Sequence, residues 1–255
     1  MNKELDLTRI VTAALQRERE NRHERQGWYA SDLGRCLRGV YLERLVGPPA
    51  YDERRLRLFA VGNLFHQWLL ERVQETGERV LTEERVEAPA YHFSGRADLL
   101  LLGEEETRLY EIKTMHSRGF WHRQKSGELV LPQHRLQVNA YLWLLRERFP
   151  NLQGYLCYVS KDDLAVLTVP VPYREEDVAE VQRQLAVLNT AWAQQVPPPP
   201  AEAVVFDAAS GRWAVNWQAS YCPFHARCTG DPDWLAKAER EASARNRKGG
   251  ESRGR

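Results

Sequence analysis

Residues 93–113 read FSGRADLLLLGEEETRLYEIK, in which two apolar segments flank a short acidic break. The apolar residues run continuously or alternate with polar ones over 91–102 and 107–113, which is typical of β-strands. The break at Gly103-Glu104-Glu105-Glu106 is short enough to join antiparallel neighbours. The stretch therefore predicts a β-hairpin.

The segments on either side extend the hairpin to a mixed sheet. An apolar pattern at 79–88 predicts a strand before it, which makes a three-stranded meander. After it, Pro132 opens an amphipathic helix to about Phe149, and strands follow at 153–160 and 164–171. The order strand, strand, strand, helix, strand predicts an α/β fold whose antiparallel meander continues through a helix to a parallel neighbour.

Apolar residues at helical spacing predict the helices that flank the sheet. They are expected at 4–20, from a Ser31-Asp32 N-cap to about Leu45, at 53–76 and at 175–195. The predicted domains are an N-terminal helical segment with Cys36 (1–50), a core (51–196), a C-terminal cysteine module (197–235) and a basic, disordered tail (236–255).

Composition limits the functional classes. The chain of 255 residues is 43% hydrophobic, enough for a sizeable core, and 36 Lys and Arg against 35 Asp and Glu leave a net charge of +1. A nucleic-acid interface must therefore be a local basic patch. No apolar run approaches the ~18 to 20 residues that span a bilayer, and Met1-Asn2-Lys3-Glu4 does not open a signal peptide, so we expect a cytoplasmic protein without membrane partners.

Asp98 and Glu111 are candidate ligands of a divalent cation. Phosphodiester hydrolysis needs one or two cations that activate a water and neutralise charge on the phosphate, and hard cations prefer carboxylate oxygens. An ordinary hairpin register brings these two acids together from neighbouring strands. The hairpin therefore predicts a metal site.

Lys113 shares a strand face with Glu111, because residues two apart on a strand point the same way. Its ammonium would orient the attacking water or stabilise charge on the phosphate, while Ile112 packs into the opposite face. Taken alone, such an E-x-K triplet is as readily interpreted as a surface ion pair.

Three further residues favour the catalytic interpretation. His66 lies one turn after Gly62 on the predicted third helix, where a neutral imidazole is suited to bind a metal. Gln137 and Tyr141 lie four residues apart on a later helix and share a face that would reach DNA or orient Lys113. Taken singly, each is also an ordinary structural residue.

Four motifs follow one another in the chain: Gly62-x-x-x-His66, Gly95-x-x-Asp98, Glu111-x-Lys113 and Gln137-x-x-x-Tyr141. In this order they resemble the RecB-like branch of the PD-(D/E)XK nucleases, over about residues 31–228. The resemblance implies a restriction-endonuclease-like core. In that family the positions of His66, Asp98 and Glu111 bind Mg²⁺ or Mn²⁺, the position of Ile112 lends a backbone carbonyl, and that of Lys113 assists catalysis.

The cysteines suggest a second metal site. Four cysteines are too few and too scattered for a disulfide framework in this chain. Within the RecB-like branch, the CRISPR adaptation nucleases and AddB-type subunits hold an iron–sulfur cluster with one N-terminal and three C-terminal cysteines. The segments around Cys36 and around Cys222-x5-Cys228 resemble these ligand segments, but Ala219 stands where the first of the three C-terminal cysteines is expected.

The incomplete motif leaves alternatives open. His225 would supply a fourth ligand, either to an iron–sulfur cluster or to a Cys₃His zinc site. The complete ligand set would then be Cys36, Cys222, Cys228 and His225. In the other alternative, the module has lost its metal and is held by the packing of Trp217, Tyr221 and Phe224. Cys157 lies in an apolar strand and is expected to be a small buried hydrophobe.

Together these features predict a metal-dependent DNA nuclease, an exonuclease or end-processing enzyme that acts on single strands or free ends. Its context would be recombination and repair, CRISPR adaptation or phage DNA metabolism, with a helicase or CRISPR integrase subunits as partners. Basic and aromatic residues after the E-x-K strand are candidate DNA contacts, although each taken singly is also an ordinary core or surface residue. They are Arg118, Trp121, Arg123, Lys125 and Arg135. The alternative is a DNA-binding nuclease-fold subunit whose cleavage depends on a larger complex.

Overall fold

A computed structural model describes residues 6–20, 26–47, 49, 51–127, 129–208 and 210–251. The chain divides into two compact units, of which the first takes in 1–34 and 50–185 and the second 35–49 and 186–255. The predicted boundaries at 50 and 196 differ from this division, because the segment that holds Cys36 groups with the C-terminal residues.

The first unit is built on a mixed sheet. Its strands, as far as the structure describes them, are β1 (Trp28–Tyr29), β2 (Val80–Ala88), β3 (Phe93–Leu102), β4 (Thr107–Met115), β5 (Leu152–Ser160) and β6 (Val166–Val171). The strands β2, β3 and β4 form an antiparallel meander, β4 pairs with β5 in parallel, and β6 is antiparallel to β5. The short β1 runs parallel to the start of β3. The predicted α/β fold with a mixed sheet is confirmed.

Helices cover both faces of this sheet. In the first unit, the structure describes α1 (Leu7–Glu20), α3 (Glu53–Gln74), α4 (Ser117–Ser126), α5 (Pro132–Leu145) and the beginning of α6 (Glu175–Gln194), while α2 (Leu37–Val46) belongs to the second unit. On one face, Leu70 of α3 packs with Leu99 and Ile112. On the other, Gly154 admits α5, since a Cβ there would lie 2.8 Å from side-chain carbons of Leu142 and Val138. Within the described ranges, no helix combines the length and the apolarity that crossing a bilayer needs.

The second helix begins later than predicted. Ala30–Asp32 form a 3₁₀ turn, and the Asp32 carboxylate accepts the backbone N–H of Tyr29 at 2.8 Å. The helix begins only at Leu37, with Cys36 as its N-cap. The predicted Ser31-Asp32 cap is wrong, because the Asp32 side chain accepts from Tyr29, three residues earlier, rather than from the helix that follows.

The second unit contains a hairpin and further helices besides α2. They are β7 (Val204–Asp207), β8 (Arg212–Val215), α7 (Trp217–Ser220), α8 (His225–Thr229) and α9 (Trp234–Glu251). Helix α9 corrects the predicted disordered tail at 236–255, since Ala238 and Ala242 are buried with Val204 of the hairpin. Alanine, glutamate and arginine are strong helix formers, so the segment is helical despite its charge. Residues 252–255 lie outside the described part of the chain.

Candidate active site

The candidate catalytic residues converge where β3 and β4 separate. The ladder between these strands ends at the pair Leu99 and Tyr110, so the next pair in register is Asp98 and Glu111. Here the Asp98 carboxylate accepts the backbone N–H of Ile112 at 2.7 Å. A side chain thus replaces the backbone acceptor that a continued ladder would provide. The hairpin places the two acids next to each other, as the sequence predicts.

Glu111 and Lys113 lie on the α5 face of the sheet, opposite Ile112. The Lys113 ammonium donates to Glu111 Oε1 at 2.6 Å and to Gln137 Oε1 of α5 at 3.0 Å. Only 3% of the Glu111 side chain and 25% of the Lys113 side chain are exposed. A surface ion pair, the alternative interpretation of the E-x-K triplet, does not describe this arrangement.

Burial governs the charge of this pair. Burial, reinforced by repulsion from Asp98, raises the pKa of Glu111 to about 8, although Lys113 opposes the shift. Burial by itself would lower the pKa of Lys113, but the Glu111 and Asp98 carboxylates raise it above its ordinary value. Lys113 is therefore charged at neutral pH, and a proton competes with a cation for Glu111.

One oxygen of Glu111 is among six buried side-chain atoms of the described residues that lack a hydrogen-bond partner. Its Oε2 is buried and has no hydrogen-bond partner there, whereas Oε1 accepts from Lys113. An unsatisfied buried acceptor costs about 1–3 kcal/mol. A divalent cation bound to Oε2 would offset this cost, and the neighbouring Asp98 supplies a second hard oxygen. The donor set therefore fits Mg²⁺ or Mn²⁺.

His66 reaches the same place from α3. Its Nε2 lies 3.2 Å from Asp98 Oδ1, and this contact raises the pKa of His66 although burial opposes it. Its Nδ1 lies 3.7 Å from Glu83 Oε1. In the described part of the chain, His66, Glu83 and Asp98 are the one group of three His, Cys, Asp or Glu whose ligand atoms all lie within 4.8 Å of one another. Glu83 was not predicted.

Gln137 and Tyr141 continue the chain of contacts from Lys113. The Gln137 amide donates to the Tyr141 hydroxyl at 3.1 Å, and Tyr141 is 2% exposed. Burial and the Glu111 charge raise the pKa of Tyr141 well above its ordinary value, so the hydroxyl stays protonated. Gly95 makes room for the ring, since a Cβ there would lie 2.7 Å from Tyr141 Cε1. All six side chains of the predicted site are thus linked by contacts within the first unit.

The predicted DNA contacts divide into two groups. Arg118, Trp121 and Lys125 are exposed on α4, where they line an open cleft with His116 and His122. Arg123 on the same helix is only partly exposed. The fifth, Arg135, has a different partner, because its Nε lies 3.0 Å from a carboxylate oxygen of the buried Asp177. Arg135 therefore holds the start of α6, and its role as a DNA contact stays a prediction.

The predicted ligands of the second metal site all lie in the second unit. The thiols of Cys36 and Cys222 are hydrogen-bonded, which lowers the pKa of Cys36 to about 5 against the effect of burial and raises that of Cys222. Gly39 makes room for them, because a Cβ there would lie 2.9 Å from Cys222 Sγ. The buried His225 packs on Trp234 with ring centres 4.0 Å apart, and its Nε2 has no hydrogen-bond partner in the described ranges.

Two other positions bear on this second site. Ala219, at the expected place of a cysteine, is fully buried. Cys157 lies in the core of the first unit with Leu70 and Val159, and burial raises its pKa to about 11. The expectation that Cys157 is a small buried hydrophobe is confirmed.

A comparison with solved structures finds matches that include two proteins named as exonucleases. The structure of SSO0001 matches with a TM-score of 0.56 and 22% identity over 88% of this chain and 96% of that chain, which shows a shared fold. The alkaline exonuclease LHK-Exo from Laribacter hongkongensis matches with a TM-score of 0.49 and 16% identity over 68% and 90%, respectively. A phage-related exonuclease from Haemophilus somnus 129PT matches with a TM-score of 0.36 and 14% identity over 62% and 80%.

A search of curated proteins finds no match. The sequence profile of the PD-(D/E)XK nuclease superfamily matches residues 7–229, a range that includes every residue of the candidate active site. The chain therefore belongs to the PD-(D/E)XK nuclease superfamily.

Proposed function

We propose that this chain is a divalent-metal-dependent deoxyribonuclease that acts as an exonuclease or end-processing enzyme on single-stranded DNA or free ends. The observation that carries the proposal is the buried, unpartnered Oε2 of Glu111 beside the Asp98 carboxylate. The unpartnered Oε2 is costly without a cation, and together with an oxygen of Asp98 it is suited to bind Mg²⁺ or Mn²⁺.

Four groups would hold the cation: the side chains of His66, Asp98 and Glu111 and the backbone carbonyl of Ile112. When bound, the cation activates a water and neutralises charge that develops on the phosphate. The Asp98 carboxylate also accepts the Ile112 N–H, which keeps the end of β3 beside β4. These contacts support a preformed site.

Lys113 is the proposed electrostatic catalyst. Its ammonium is fixed by Glu111 at 2.6 Å and by Gln137 at 3.0 Å, so it loses little freedom when a phosphate arrives. One quarter of the side chain is exposed, which leaves room for contact with substrate. In this position the ammonium orients the attacking water or stabilises charge on the phosphate. Gln137, held in turn by Tyr141, is a positioning residue.

The exposed side of α4 is the proposed approach of the DNA. Arg118, Trp121 and Lys125 follow one another at helical spacing on this side, while Phe120 anchors the helix in the core. Cationic side chains attract phosphates, and an exposed indole gives an unpaired base a surface on which to stack. This combination favours single-stranded DNA over a duplex, whose bases are already stacked. Arg123 would add a further phosphate contact.

The proposed biological setting rests on the resemblance carried by the order of the four motifs. They support membership of the RecB-like branch, and with it a role in recombination and repair, CRISPR adaptation or phage DNA metabolism. A helicase or CRISPR integrase subunits are the proposed protein partners.

The second unit supports a separate proposal, a structural metal held by Cys36, Cys222, Cys228 and His225. The paired thiols of Cys36 and Cys222 and the unpartnered Nε2 of His225 are the supporting observations. His225 would replace the ligand that is missing at Ala219. Iron and zinc content separates a cluster from a Cys₃His zinc site.

Cleavage of circular and linear single strands by one preparation tests the proposed activity. With Mg²⁺ or Mn²⁺, the wild type should degrade an end-labelled linear strand and leave the circle intact. Asp98→Ala and Lys113→Ala should be inactive, whereas Asp233→Ala, an exposed acid of the second unit, should match the wild type. Equal cleavage by all four proteins would refute the assignment. DNA binding without cleavage would support the alternative of a nuclease-fold subunit that depends on a larger complex.

A further inference from the structure

Glu83 occupies an unusual position in β2. The neighbouring pairs in the ladder are Thr82 with Leu99 and Glu84 with Ala97, so Glu83 stands opposite Asp98. Its backbone is left-handed, with φ of 54°, a conformation that is uncommon for glutamate and interrupts the pairing at this one residue. Such a local departure, directly opposite a metal-ligand candidate, suggests a functional constraint.

The His66 ring lies between Glu83 and Asp98. Two carboxylates directly opposite each other destabilise a sheet, and the imidazole separates them. Its Nδ1 faces Glu83 Oε1 at 3.7 Å, and its Nε2 faces Asp98 Oδ1 at 3.2 Å. The two ring nitrogens therefore meet two different acids.

The two distances suit different roles. Neighbouring ligands of an octahedral Mg²⁺, each about 2.1 Å from the ion, lie about 3 Å apart, which is close to the separation of His66 Nε2 and Asp98 Oδ1. The Nδ1 side points away from this pair and toward Glu83. A metal-binding histidine commonly donates its second ring N–H to a carboxylate, which fixes the tautomer and the ring orientation.

Glu83 is itself held in place. Its Oε2 lies 3.1 Å from Arg96 Nη1, so Oε1 is left for His66. Arg96 comes from β3, two residues before Asp98, and most of its side chain is exposed. The contacts run from Arg96 through Glu83 to His66 and end at Asp98.

We propose that Glu83 is a positioning residue that accepts the Nδ1–H of His66 and thereby presents Nε2 to the cation beside Asp98. This inference rests on the proposed metal-dependent function of the same site. The present 3.7 Å gap is longer than a hydrogen bond, so the proposed role requires the gap to shorten when the cation binds.

Mn²⁺ binding measured by electron paramagnetic resonance tests this role. Glu83→Ala should weaken Mn²⁺ binding by about 10- to 100-fold. Glu83→Gln should lose less, since an amide oxygen still accepts the Nδ1–H. Glu87→Gln is the matched control, because Glu87 lies on the same strand and pairs with the exposed Arg85. It should bind like the wild type.

The tautomer of His66 provides a second readout that a purely structural role would not change. In the Mg²⁺-loaded wild type, ¹⁵N-detected NMR should show His66 protonated at Nδ1 alone. In Glu83→Ala the two tautomers should mix, while thermal unfolding confirms that the variant is folded. If Glu83→Ala binds Mn²⁺ like the wild type with an unchanged tautomer, Glu83 has no such role.

Three outcomes contradict the inference in different ways. A loss in Glu83→Gln as large as in His66→Ala would make Glu83 a direct ligand instead of a positioning residue. A wild type that binds no Mn²⁺ would refute the proposed function together with the inference. Normal wild-type binding with unaffected Glu83 variants would refute the inference alone.

Discussion

Gly95→Ala should reduce both stability and activity, because the added carbon overlaps Tyr141. The new Cβ would lie 2.7 Å from Tyr141 Cε1 and 2.9 Å from Ala30 Cβ. Carbon atoms in contact normally stand about 3.5–4.0 Å apart, so the ring must move by about 1 Å. Overpacking of this kind costs about 1–3 kcal/mol of the free energy of unfolding.

The displacement reaches the catalytic lysine through two hydrogen bonds. The Tyr141 hydroxyl accepts from Gln137, whose amide oxygen accepts from Lys113. A misplacement of about 1 Å at a positioned group can cost about 10²-fold in rate. Gly95→Ala should therefore lower kcat by about this factor with a smaller effect on KM.

Thermal unfolding and initial cleavage rates check these figures. For a protein of this size about 1–3 kcal/mol lowers Tm by roughly 2–12 °C. Gly119→Ala is the control for stability alone, because nothing lies within 4 Å of the Cβ that it adds but Gly119 lines the cleft of α4. It should leave Tm unchanged or raise it slightly, since alanine favours the helix.

A double variant isolates the overlap itself. Tyr141→Ala removes the ring, so in its background Gly95→Ala should cost much less stability than in the wild type. Equal costs in both backgrounds, or a Gly95→Ala protein with wild-type Tm and kcat, would refute the proposed contact between Gly95 and Tyr141.

Three further predictions concern the cation, the DNA and the cysteines. Burial raises the pKa of Glu111 to about 8, and a cation must displace the proton on this carboxyl group. The apparent Mn²⁺ affinity should therefore increase with pH from 6 to about 8 and then level off. A Glu111→Gln protein whose affinity depends on pH with the same slope would contradict this. Trp121→Ala should weaken the binding of single-stranded DNA, measured by fluorescence anisotropy, by about 1–3 kcal/mol. Phe206→Ala also truncates an exposed aromatic side chain but should leave this binding unchanged. Equal losses of affinity in the two variants would argue against stacking. Anaerobically purified protein should contain either iron, which gives a visible absorption band, or zinc, which gives none. Cys36→Ser should lower the content of this metal. If both metals are absent, packing alone holds the cysteine module.

The hairpin and its acids could be predicted because two short-range rules determine them. A short break between two strands limits the register, and this register brings Asp98 to Glu111. The period of two along a strand places Lys113 beside Glu111 and sends Ile112 to the other face. Both rules act over a few residues, so the local sequence is sufficient to predict these positions.

Glu83 could not be predicted, because its role depends on pairing between strands. In the sequence it is one of several acids at 83–87, and nothing local separates it from Glu84 or Glu87. Only the register of β2 against β3 and the positive φ of Glu83 show that it faces Asp98.

Helices α4 and α9 were not predicted, for a different reason. Helix α4 is anchored in the core by Phe120 alone among its residues, so it shows no apolar stripe. Helix α9 buries Ala238 and Ala242, whose small side chains give a weak hydrophobic signal among many charges. Similarly, the pairing of Arg135 with Asp177 joins residues 42 positions apart and has no local signature.

The rate at which Glu111→Gln cleaves a labelled single strand in Mn²⁺ tests the central claim most directly. The substitution keeps the size of the side chain but removes the carboxylate charge and the oxygen that is proposed to bind the cation. Glu147→Gln, an exposed change on the same unit, is its control. The account predicts wild-type cleavage by the control and no cleavage above the metal-free background by Glu111→Gln. Cleavage by Glu111→Gln at the wild-type rate would contradict it.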